Sequence, residues 1–171
     1  MKKLSIIVPC YNEEAVLAES YRRTKEVLKQ LTCPTEIIYV NDGSRDATRS
    51  ILDAISVSDP TVKVIHFSRN FGHQPAVTAG IHHCDADLAV ILDVDMQHPP
   101  ELIPDILALQ EKEEANVVFC VRKSREGESN FKLITSRLFY RFMNHMSEVA
   151  FPVDTGDFRL IDRKVMNEFN R

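Results

Sequence analysis

Asp93 and Asp95 stand two residues apart at the end of an apolar run, 88–92, and Met96-Gln97-His98-Pro99-Pro100 follows them. A short apolar run of this kind reads as a buried strand, so the two carboxylates fall where a strand leaves the core. Charges placed there cost several kcal/mol unless they are paired or bound to a metal. Mg²⁺ or Mn²⁺, which prefer carboxylate oxygens and bridge readily to phosphate, would offset that cost. A solvated strand-to-helix turn, with Asp95 or His98 near a helix cap, explains one isolated Asp-x-Asp better. Three other polar clusters change the balance.

The first cluster is Pro9-Cys10-Tyr11-Asn12-Glu13-Glu14, in which Tyr11 offers a ring for stacking on a planar base and the carboxylates accept hydrogen bonds. Taken alone, strand termination and helix capping account for it. The second is Asn41-Asp42-Gly43-Ser44-Arg45-Asp46, strong turn chemistry in which Asp42 directly abuts an apolar run and could accept an N–H from a base edge. The third, Ser68-Arg69-Asn70-Phe71-Gly72-His73, supplies a cation for phosphate and a glycine that leaves room at a helix start. The histidines 73, 82, 83 and 98 match no compact zinc spacing.

The elements that must hold these clusters follow from periodicity. Runs at 4–9, 36–40, 62–67, 88–93 and 116–121 are almost continuously apolar and rich in Val and Ile, the pattern of strands covered on both faces. Helical segments alternate with them. Leu17, Tyr21, Thr24, Leu28 and Leu31 mark one face of a helix over 13–31 that Asn12 is placed to cap. Ser44 is placed to cap a second helix, residues 73–84 form a third, and Pro99-Pro100 opens a fourth reaching about Glu114. Such alternation predicts an α/β fold with a mainly parallel sheet, whose ligands bind at the carboxyl ends of the strands. The clusters at 9–14, 41–46 and 93–98 then share one rim.

A chain of 171 residues suits one domain. Its net charge of −4 gives no support to nucleic-acid binding. Four cysteines without a Cys-x-x-Cys pair point to a reducing compartment. No stretch approaches the roughly 18 apolar residues of a membrane span. Residues 130–147, however, interleave Phe131, Leu138, Phe139, Phe142 and Met146 with Lys132, Arg137 and Arg141, an amphipathic helix suited either to a membrane interface or to a core with snorkelling cations.

Together the clusters resemble glycosyltransferase family 2, in particular Ser5–Glu14, Val40–Thr48, Arg69-Asn70-Phe71-Gly72 and Asp93–Pro100. The Asp-x-Asp-x-Gln-His-Pro-Pro form and Asp154-Thr155-Gly156-Asp157-Phe158-Arg159 look like the polyisoprenyl-phosphate branch, which holds dolichol-phosphate mannosyltransferases and bacterial undecaprenyl-phosphate glucosyltransferases. The resemblance implies a Rossmann-like, three-layer GT-A fold over 1–171 and inverting, metal-dependent transfer of a hexose to a polyprenyl phosphate. UDP-glucose leads as donor, ahead of UDP-N-acetylglucosamine, UDP-galactose and GDP-mannose. Pro9, Tyr11, Glu13, Asp42 and Asp93 would hold the nucleotide. Asp93, Asp95 and Gln97 would bind Mg²⁺ or Mn²⁺, Asp157 would act as base or orienter with Asp95 also in the catalytic set, and Arg122, Arg125 and Arg159 would meet anionic oxygens. Dolichol-type enzymes carry Ser-Gly where this chain has Gly156-Asp157. The resemblance further implies work at the cytoplasmic face of a bacterial membrane, with transmembrane helices beyond residue 171, and leaves a homo-oligomer open. The rival expectations are a family 2 transferase with a glycan or protein acceptor, and a non-catalytic nucleotide-sugar or membrane-docked module.

Overall fold

A computed structural model describes residues 2–95, 99–121, 155–169 and 171. The chain forms two compact units, Met1–Val118 with Asp157–Arg171, and Phe119–Gly156. Only residues 119–121 and 155–156 of the second are described. The elements run β1 (Leu4–Cys10), α1 (Leu17–Leu28), β2 (Thr35–Asn41), α2 (Thr48–Ser58), β3 (Val62–His66), α3 (His73–His82) and β4 (Leu88–Ile91). A 3₁₀ turn at Pro100–Leu102 leads into α4 (Ile103–Glu113), followed by β5 (Val117–Val121), β6 (Thr155–Asp162) and α5 (Arg163–Phe169).

The sheet order is β3-β2-β1-β4-β6-β5. Strands β1, β2, β3 and β4 run parallel, and β6 is antiparallel to β4. This is the α/β, mainly parallel sheet that the alternating pattern predicts. Strand order turns back at β1, flanked by β2 and β4, so the crevice beyond the carboxyl ends of β1 and β4 is the topological switch point.

Every residue of β1 and of β4 is buried, as their unbroken apolar runs require. Ile7, Ile38, Val40, Val77, Ile81 and Ile91 share one core cluster between the sheet and α3, each contributing on the order of 1.5–3 kcal/mol by its burial. A Cβ on Gly80 would overlap the Ile7 side chain, so α3 lies against β1 at a distance only glycine permits. This contact holds the C-terminal half of α3 against β1.

The helix starts differ from the predicted ones. Helix α1 begins at Leu17, four residues after the predicted start at Glu13, and α2 begins at Thr48 with no side-chain cap. Asn12 takes a left-handed φ of 56° instead of capping. Its N–H donates to Ser44 Oγ (3.0 Å) and its Oδ1 accepts from Arg45 N–H (2.9 Å). The capping groups of the two loops are spent on each other's backbone, which joins the loops and delays both helices. Strand β6 has no counterpart among the predicted strands. Among the described residues no helix is long and apolar enough to cross a membrane, and the amphipathic segment 130–147 lies outside them.

Candidate active site

The carboxyl ends of β1, β2 and β4 open on a cleft of about 350 Å³. Pro9, Tyr11, Glu13, Asp42, Asp93 and Asp95 all line it. Residues from three separate strand ends are thus brought together as the sequence predicts. Tyr11 is 42% exposed, its ring open to a planar partner.

The loops are built to keep that arrangement. Asn41 Oδ1 accepts from Ser44 N–H (3.0 Å), closing the turn after β2. Gly43 has φ +68°, and a Cβ there would collide with the Arg69–Asn70 backbone, 2.5 Å from Asn70 N. The turn therefore rests directly on the loop after β3. Asp42, buried, accepts from Phe71 N–H (2.7 Å) with one oxygen and from Gly72 N–H (2.8 Å) with the other. A carboxylate at the end of β2 thus holds the entrance of α3, where backbone N–H groups favour an anion. Asp42 shapes the cleft through this loop. On the other side, Glu13 N–H donates to Thr48 Oγ1 (2.8 Å), Glu14 N–H to Asp46 Oδ2 (3.1 Å), and Ala47 N–H to Glu14 Oε2 (2.7 Å).

Negative charge accumulates in the cleft. Burial raises the Glu13 carboxyl above its ordinary value, and Asp95, Asp46 and Asp93 raise it further. Opposite Asp93, His73 Nε2 stands 3.9 Å from Oδ1. Cys10, also in the lining, donates to Val8 O (3.3 Å), and burial pushes its thiol well up, so it is an inert wall instead of a nucleophile.

Two carboxylates spaced i, i+2 suit a hard cation that a diphosphate helps to hold. Among the described residues no three or more His, Cys, Asp or Glu side chains form a closed metal cage. Mg²⁺ is ordinarily bound through one or two carboxylates with substrate phosphates completing its shell.

Other expected residues fall elsewhere. Gln97, Arg122 and Arg125 lie outside the described residues, as does the side chain of Asp157. The backbone of Asp157 belongs to β6, and the antiparallel register sets Arg159 opposite Ile91. Continuing that run carries Asp157 past the end of β4, on the side where Asp93 leaves the sheet. Arg69 does not line the cleft; its guanidinium sits 4.7 Å over the Phe71 ring. Asn70, Gly72 and His73 do line it, and the position of their cluster after the third strand was the signal for that.

A model of glycosyl transferase family 2 matches residues 5–169. An uncharacterized glycosyltransferase of Bacillus subtilis is 49% identical over 98% of this chain and 51% of its own length. A bactoprenol glucosyl transferase of Shigella phage SfV is 38% identical over 96% of this chain and 53% of its own. The chain therefore spans about half the length of the curated relatives it matches. Among solved structures, a mannosyltransferase from Pyrobaculum calidifontis in complex with GDP-mannose and Mn²⁺ shares the fold, with a TM-score of 0.68 at 19% identity over 98% of this chain and 46% of that one.

Proposed function

The chain belongs to glycosyltransferase family 2, and from that premise we propose that it transfers glucose from UDP-glucose to a polyprenyl phosphate with inversion at the anomeric carbon. The observation that carries the proposal is the cleft, where Tyr11 and Pro9 from β1, the Asp42 loop from β2, and Asp93 and Asp95 from β4 meet at the switch point. The glucosyl and bactoprenol parts rest on the name of the 38% identical relative.

In this reading Tyr11 and Pro9 receive the uracil and Glu13 the ribose, while Asp42 fixes the loop beneath them. Asp93 and Asp95, with Gln97, would hold Mg²⁺ or Mn²⁺, which when bound offsets charge on the departing diphosphate. The attacking group is an oxygen of the lipid phosphate monoester. Its second pKa is about 6, so near neutrality it arrives largely ionised and needs little help from a base. That oxygen forms the bond to the anomeric carbon as the bond to the UDP oxygen breaks, and the electron pair leaves with UDP. Asp157 orients the acceptor and accepts its residual proton; Arg122, Arg125 and Arg159 steer anionic oxygens. The reaction takes place at the cytoplasmic face of a membrane, where a lipid phosphate is presented, and residues 130–147 supply a surface for that interface.

The test is release of UDP from UDP-glucose with and without a short polyprenyl phosphate, each with and without Mn²⁺. Acceptor-dependent and metal-dependent release supports the assignment. Turnover of GDP-mannose and not of UDP-glucose would overturn the donor, and acceptor-independent release would overturn the lipid. Binding of UDP-glucose with no turnover would leave a non-catalytic nucleotide-sugar module.

A further inference from the structure

The last cross-strand pair of β2 and β3 sets Asn41 beside His66. Because Asn41 Oδ1 accepts from Ser44 N–H, its Nδ2 is the end that faces the imidazole, 3.0 Å from His66 Nδ1. A ring nitrogen that accepts carries no proton, so the proton of the neutral ring is on Nε2. Nε2 lies 2.9 Å from Asp53 Oδ1 on α2, which takes that hydrogen bond. On the other side the run continues from Ser44 Oγ to Asn12 N–H, and from Asn12 Oδ1 to Arg45 N–H. Asn12 stands between Tyr11 and Glu13, both in the cleft lining, and its φ of 56° is a conformation that persists only where the surroundings enforce it.

Asn41 is buried, so its orientation matters. Turned over, its Nδ2 would face Ser44 N–H, donor against donor, and its oxygen would face His66. The acceptor nitrogen of His66 selects the productive orientation, and Asp53 selects the tautomer that provides that acceptor. An apolar side chain at position 66 would leave a buried amide N–H without its partner and remove the preference.

We propose that His66, its tautomer set by Asp53, is a positioning residue for the donor site, acting through Asn41 on the turn at 42–45 and on the Tyr11–Glu13 loop. This rests on the reading of the cleft as a nucleotide site. It adds a role for two residues that do not touch the cleft.

The test titrates UDP with Mn²⁺ into the parent chain and into His66→Asn, His66→Leu and Asp53→Ala, and compares KM and kcat for UDP-glucose. His66→Asn places an acceptor where Nδ1 was and is expected to stay within about threefold of the parent Kd. His66→Leu is expected to weaken UDP about tenfold and to raise KM in step, with kcat within about twofold. Asp53→Ala, which leaves Nε2–H without its acceptor, is expected to weaken UDP about threefold. A lowered melting temperature in His66→Leu with Kd and KM unchanged would show a purely structural role and overturn the proposal, as would a fall in kcat at constant KM. Should His66→Leu fail to fold, Asp53→Ala, which removes the exposed acceptor for Nε2–H, carries the test, and unchanged Kd and KM there overturn the proposal. A parent chain that binds neither UDP nor GDP would instead sink the reading of the cleft, and this inference with it.

Discussion

The two ends of the parallel strands treat the carboxylates Glu36 and Glu13 in opposite ways. At the amino end, Glu36 of β2 accepts a 2.5 Å hydrogen bond from Ser5 Oγ–H and forms ion pairs with Lys3 (2.9 Å) and Lys63 (3.0 Å). Burial alone would raise its carboxyl, but the bonds from Ser5, Lys3 and Lys63 prevail and hold its pKa at about 2. At the carboxyl end, burial and the neighbouring Asp95, Asp46 and Asp93 all act on Glu13 in the same direction, upward. One end supplies its own cations, Lys3 just before β1 and Lys63 in β3. The other collects acid around a cleft, the arrangement expected where the compensating charge arrives with a ligand.

The largest effect that could break this contrast is at Asp95. Asp95→Asn is expected to lower kcat/KM for metal-dependent turnover of UDP-glucose by about a hundredfold or more. Kinetics on a short polyprenyl phosphate check it, and parent-like turnover would end the assignment of Asp93 and Asp95 to a cation.

Glu36→Gln is the mirror experiment, with an effect on stability and none on turnover. The side chain keeps its shape and can still accept from Ser5, but it loses the charge that meets Lys3 and Lys63. Both lysines reach solvent, so the expected cost is modest, about 1–2 kcal/mol near neutrality, or about 3–6 °C in Tm for a chain of this size. The pH dependence has a definite sign. A carboxyl depressed to about 2 in the folded state stabilises the fold above its ordinary value near 4.5 and loses that contribution as pH falls from there through about 2. Urea unfolding of parent and Glu36→Gln at pH 6 and pH 3 should show the gap narrowing at the lower pH. A gap that widens on acidification would mean that Glu36 is not the depressed group.

The two ends were also unequally legible in the sequence. The strand positions follow from unbroken apolar runs, and Asp93, Asp95 and Asp42 are visible because each interrupts such a run at its end. The rule that ligands meet the carboxyl ends of parallel strands then gathers them without any contact being known. The Glu36 network has no comparable signature, since Lys3, Ser5 and Lys63 are neighbours only through strand register. The helix starts were misread because Asn12 and Ser44 are good capping residues in isolation, and only the pairing of their loops reveals where their hydrogen bonds go. Strand β6 was missed because Thr155-Gly156-Asp157 opens it on turn-like residues. The alternation of buried Phe158 and Leu160 with Arg159 was the period-two signal for it.

Tyr39 tests a third situation, a polar group that neither end provides for. It lies midway along β2, fully buried, and its hydroxyl has no hydrogen-bond partner among the described residues. Burial pushes the phenol far above its ordinary pKa, so it stays neutral. A neutral buried hydroxyl without a partner forfeits its bonds to water and gains nothing in return, at a cost of about 1–3 kcal/mol. Tyr39→Phe removes that cost at the expense of a small void where the oxygen was. The net expectation is a gain of about 0.5–1 kcal/mol, seen as a higher urea midpoint at unchanged slope, with UDP affinity as in the parent. The direction is the informative part. If Tyr39→Phe instead lost more than about 1 kcal/mol, the hydroxyl would have a bonding partner in solution, and the interior of β2 would belong with the self-compensated amino end.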